Sequence, residues 1–162
     1  MFARFGQQRL CLSRRHHNLS SHHRLLSIAS RLPVSYQIET RVQDTDLMGH
    51  INNVNYYAFM DTAICNWSIS RGDDLPNTPR FIAETGLKYH SPALYPETIE
   101  VSFGVDHLGS SSVKYKVAMF STKDQRLLSS GHFVHVYVDK NGKPTPMTKQ
   151  TREMLESITL SV

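Results

Sequence analysis

Cysteine is scarce in this chain. Cys11 and Cys65 are the only two among 162 residues, and neither belongs to a CxxC pair or to a metal-ligand spacing. That argues against a disulfide framework and against a metal site, and suits a reducing compartment. Long apolar runs are lacking too: no stretch reaches the ~18 residues of a membrane-spanning helix. No glycine-rich phosphate loop occurs, so the sequence implies no nucleotide or other cofactor. Acidic residues are missing from the first 38 positions, where six arginines stand (Arg4, Arg9, Arg14, Arg15, Arg24, Arg31) without a lysine. From Glu39 onward 12 basic side chains face 14 acidic ones, a net of −2. The sequence pI of about 9.2 therefore belongs to the leader, and does not mark the body as a nucleic-acid binder.

The leader is rich in Arg, Ser and His with scattered Leu and Phe. That is the composition of a mitochondrial transit peptide, and the unbroken apolar segment of a secretory signal is missing. The other reading is a basic tail that stays attached. The pairs His16-His17 and His22-His23 could bind metal but are expected to be bystanders. The chain divides into a leader, 1–33, and one domain, 34–162, long enough for a real core. Import would place that domain in the mitochondrial matrix.

Within the body, residues 35–43 read as a first strand. Tyr56, Phe59, Met60, Ala63, Ile64 and Trp67 then recur at helical spacing. The spacing predicts a helix from Asn53 to Arg71, ended by Gly72 and the loop prolines Pro76 and Pro79. Beyond the loop the period becomes two. Strands are expected at Phe81 to Tyr89, around Ile99 to Val105, around Val113 to Met119 and at Leu127 to Asp139. Asn141-Gly142 marks a turn, and Thr148 to Ile158 a short final helix. One long helix followed by successive strands is an α+β plan, with a mostly antiparallel sheet of five or six strands wrapped around the helix.

The most unusual stretch is "DTDLMGHINNVNYYAFMD", residues 44–61. Two aspartates, a glycine, a histidine and paired asparagines exceed what capping one helix requires. This stretch resembles the D-x-D-x-x-G-x-[VI]-x-x-x-x-Y pattern of hotdog-fold thioesterases of the 4-hydroxybenzoyl-CoA thioesterase-like branch. "YHSPALYPETIEV", residues 89–101, is similar to that family's strand, proline turn, strand passage. The pattern D-x-D-x-x-x-H-x-N-N is also similar to plant acyl-ACP thioesterases. The resemblance covers about residues 34–145 and implies hydrolysis of an acyl thioester, carried by CoA or by acyl carrier protein. It implies that Asp46 is the catalytic carboxylate, as nucleophile or as general base. It implies an oxyanion donor in the backbone N–H of Asn53, seven residues later, where helix N–H groups lack partners and the dipole favours negative charge. It also implies a dimer or a tetramer, with edge-to-edge pairing of sheets.

Other residues carry plainer readings. Asp44 suits turn or cap hydrogen bonds, and Asn52 suits the N-cap. His50 matches a plant-enzyme histidine, but Met48 stands where those enzymes have asparagine. His50 is thus either catalytic, an orienter of Asp46, or a space filler. Cys65 is expected to be a packed small side chain, and Asp61 to face a partner or a helix neighbour. His90, His132 and His135 are expected to be structural. Lys88, Lys114 and Lys116 are candidate contacts for CoA phosphates. Asp46 and His50 are four apart with neither Asn nor Pro between them, which departs from the hotdog hydratase motif. The reading of a different class is a hotdog protein that binds acyl thioesters without hydrolysing them.

Overall fold

The computed structural model describes residues 32–161. The expected leader, apart from its last two residues, lies outside them. Strand β1 is Val34–Glu39, helix α1 Asn53–Ser70, β2 Arg80–Tyr89, β3 Thr98–Leu108, β4 Ser112–Ser121, β5 Leu127–Tyr137 and α2 Lys149–Glu156. The five strands form one antiparallel sheet in the order β1-β3-β4-β5-β2.

The helix forms where its periodicity predicts. Tyr56, Phe59, Met60, Ala63, Ile64 and Trp67 are all buried. They pack on alternate residues of the sheet, among them Val101, Phe103, Val105, Tyr115, Val117 and Phe133. Trp67 stands edge-on to Phe103, and Phe103 to Tyr115. Gly72 takes a φ of +83° and donates to the Ile69 carbonyl, which ends the helix one residue before the expected Arg71. A buried ion pair between Arg80 and Asp73 fastens the following loop to the start of β2.

Two strand ends differ from expectation by more than one residue. The first strand ends at Glu39 instead of 43, because residues 42–44 turn into a short 3₁₀ helix. Asp44 accepts from the Arg41 backbone N–H at 2.8 Å and from the Arg41 guanidinium, which draws the chain out of the sheet. The last strand ends at Tyr137 instead of Asp139, and Asp139 instead accepts from the N–H groups of Asn141 and Lys143 in the expected Asn-Gly turn. The final helix runs Lys149–Glu156 with Thr148 as its N-cap. After it, residues 158–160 bond to both N–H and C=O of Val105, filling the side of β3 that lies beyond the first residue of β1. No helix among the described residues is long and apolar enough to cross a membrane.

Candidate active site

The chain between Asp44 and Asn53 is a small loop closed by its own backbone. Thr45 bridges Ile51. The Asp46 N–H donates to the His50 carbonyl at 2.7 Å. Gly49, at φ +79°, makes the reversal in the left-handed region that favours glycine; open space surrounds the position, so backbone conformation and not crowding calls for it. The loop docks on the segment before β3: the Ile51 N–H donates to the Ala93 carbonyl at 2.9 Å, and His50 bridges Leu94.

Asp44 and Asp46 have different surroundings. Asp44 is only 2% exposed. Its Oδ2 accepts from Arg41, while its backbone carbonyl accepts from the Asn52 N–H and from the Asn55 side chain. Arg41 holds the Asp44 carboxyl below its ordinary range, chiefly by side-chain hydrogen bonding. Asp44 is a structural anchor. Asp46 Oδ1 accepts from the N–H groups of Met48, at 2.8 Å, and His50, at 3.0 Å. Its Oδ2 has no hydrogen-bond partner among the described residues. One oxygen orients the group and the other stays open. The backbone of His50, and not its ring, holds Asp46 in place.

Asn52 caps α1, its Oδ1 accepting from the Val54 N–H at 3.3 Å. Asn55 N–H donates to the Asn52 carbonyl. The Asn53 N–H between them has no acceptor among the described residues. It is the orphan donor that a helix start leaves behind.

These groups meet around one cavity of about 370 Å³, lined by Asp46, His50, Ile51, Asn53, Tyr56, Tyr89, His90, Ser91 and Pro92. All three candidate residues, Asp46, His50 and Asn53, are thus brought together. The lining from Tyr89 to Pro92 comes from the end of β2 and the turn after it. The sequence singled out that passage, but Tyr89 only as a strand end. His90 Nε2 lies 2.8 Å from Ser130 Oγ. Tyr56 is both core and cavity wall, whereas Phe59, Met60 and Trp67 are core.

A second cleft, about 430 Å³, opens between the C-terminal end of α1 and the start of α2. Its carboxylates are engaged, Asp73 with Arg80 and Asp74 with the Asn77 side chain. Lys88, Lys114 and Lys116 do not line the cavity at Asp46. His132 contacts Glu84, and His135 is buried. Cys65 is half-buried with its thiol 3.7 Å from Asp61 of the same helix, and burial pushes that thiol up. Among the described residues no three His, Cys, Asp or Glu side chains gather as metal ligands would.

A family model described as the thioesterase-like superfamily matches residues 40–155. A protein of Pseudomonas aeruginosa strain PAO1 is 33% identical, with a TM-score of 0.78 over 82% of this chain and 96% of its own. A thioesterase of Thermus thermophilus, solved in complex with coenzyme A and Zn, is 24% identical, with a TM-score of 0.70 over 78% of this chain and 95% of its own. The 1,4-dihydroxy-2-naphthoyl-CoA thioesterase of Synechocystis is 14% identical, with a TM-score of 0.72 over 76% of this chain and 96% of its own. At such identities the last two demonstrate a shared fold. No curated protein matches.

Proposed function

Because the chain belongs to the thioesterase-like superfamily, we propose that it hydrolyses an acyl-CoA to the free acid and CoA, with Asp46 as the reacting carboxylate and Asn53 N–H as the oxyanion donor. The observation that carries this reading is a half-tethered carboxylate sharing one cavity with an orphan helix N–H. Asp46 Oδ2 takes a proton from a water, whose oxygen attacks the thioester carbonyl carbon, or attacks that carbon itself. The carbonyl oxygen gains charge and is met by the Asn53 N–H at the positive end of α1. Such a donor contributes about 10²–10³ in rate. Collapse expels the thiolate, which takes up a proton and leaves as the thiol; where Asp46 itself attacks, the acyl group is left on it as an anhydride, which water then hydrolyses to the free acid and the Asp46 carboxylate. The His50 ring borders this space, within reach of the leaving group or the water. The coenzyme A bound by the Thermus thermophilus thioesterase, and the CoA ester named for the Synechocystis enzyme, favour CoA over a carrier protein.

The test is thiol release from short, medium, long and aromatic acyl-CoAs. Asp46→Asn keeps the shape and removes the base. Its kcat should fall by about 10²–10⁴ with KM little changed. Asp44→Asn should instead lower the melting temperature. Near-wild-type turnover by Asp46→Asn refutes the mechanism. A wild-type protein that binds acyl-CoA yet hydrolyses nothing would be the non-catalytic binder instead.

A further inference from the structure

Tyr89 ends β2, on the opposite wall of the cavity from the loop that carries Asp46. Its hydroxyl donates to the Asn53 carbonyl oxygen at 3.1 Å. Its ring stands edge-on to Tyr56, with centroids 5.3 Å apart and planes at 90°, so the side chain is steered as well as tethered.

The peptide it reaches sits at a sensitive place. The Asn53–Val54 peptide is held at its N–H by the Asn52 side chain and at its C=O by Tyr89. The peptide before it, which carries the Asn53 N–H, is held at its C=O by the Asn55 N–H. Two successive peptide planes are therefore fixed, and with them the direction of the Asn53 N–H between them. Apart from the helix's own backbone hydrogen bonds, the other anchors on residues 52–55 come from the segment 44–55 itself. Tyr89 ties the backbone of this first turn to the sheet by a side-chain hydrogen bond.

We propose that Tyr89 is a positioning residue for the thioester reaction, its hydroxyl holding the first turn of α1 so that the Asn53 N–H stays aimed into the cavity. This rests on the reading of Asn53 as the oxyanion donor. An oxyanion donor contributes most when its direction is set before the charge develops. Partial burial, and then the neighbouring Tyr57, push the Tyr89 phenol up to about 12. The hydroxyl therefore remains a donor throughout the range in which a carboxylate and a histidine work.

The experiment is Tyr89→Phe in the full chain, which keeps the ring against Tyr56 and deletes one hydroxyl. A neutral hydrogen bond is worth about 0.5–1.5 kcal/mol, so kcat should fall roughly 2- to 10-fold. KM should stay within about twofold, because the substrate is not touched. The order parameter of the Asn53 amide, measured by NMR relaxation, should fall. A loss of melting temperature with unchanged kcat would make the tie merely structural and overturn the proposal, and a rise in KM alone would make Tyr89 a substrate contact and also overturn it. If the wild-type protein hydrolyses nothing, the hydrolase reading fails by itself. The Asn53 amide then decides alone: a lower order parameter in Tyr89→Phe upholds the positioning, an unchanged one overturns it.

Discussion

His135 is a basic group that the proposed reaction does not use. It lies between the rings of Tyr115 and Phe133 at 5.9 and 4.8 Å, and burial, reinforced by the Arg80 charge, lowers its pKa to about 3. The unfolded chain would protonate the same ring near its ordinary 6.5. Between those values the unfolded state binds the extra proton. The stabilisation is therefore complete above about pH 6.5 and drains away as pH falls toward 3, by at most ~1.4 kcal/mol per unit. Calorimetry from pH 7 to pH 4 should record a steadily falling melting temperature, and His135→Phe should flatten that slope. An unchanged slope in the variant would assign it to other groups. Asp44 is not a rival over most of this window. Its carboxyl is held below 3.8 by Arg41, so its stabilisation is lost only in stronger acid.

At the scale of elements, α1 is held by its stripe and not by its exposed face. Met60 is fully buried at the centre of that stripe, whereas Val54 in the first turn is 66% exposed. Met60→Ala should cost about 2–5 kcal/mol in denaturant unfolding, and Val54→Ala within about 0.5 kcal/mol. Equal losses would mean that the stripe is not the main anchor. This stripe was legible in the sequence because six apolar side chains share one period, and Gly72 closes it. The gathering of Asp46, His50 and Asn53 at one cavity was legible through the motif. The end of β1 was not, because its cause is a charge pairing between Arg41 and Asp44 that periodicity does not register. The position of Tyr89 over Asn53 was not legible either. It depends on β2 crossing from the end of the loop to the far side of the sheet, and strand order leaves no trace in an alternating pattern.

For the whole molecule, β2 is the open question of assembly. It pairs only with β5, and Arg80, Gly86 and Leu87 are its better covered residues. Phe81, Ile82 and Tyr89 are exposed along it, and Leu47, Met48, Val54 and Leu94 are exposed around the cavity mouth. An unpaired, apolar edge strand invites pairing with another chain. We propose that two copies pair along β2, which would cover this edge and narrow the mouth. Light scattering on the protein should return at least a dimer, and Phe81→Glu with Ile82→Lys should shift it toward monomer. A wild-type protein that is monomeric and active defeats the idea.

The grip on Asp46 has a consequence for how this chain can change over time. The carboxylate is held by the amides of residues 48 and 50, and amides are common to every residue but proline. The side chains of Leu47 and Met48 are exposed and take no part in that grip. Substitution at those two positions, proline at 48 excepted, therefore leaves this grip intact, and under the proposed mechanism the Asp46 carboxylate keeps its place while its surroundings vary.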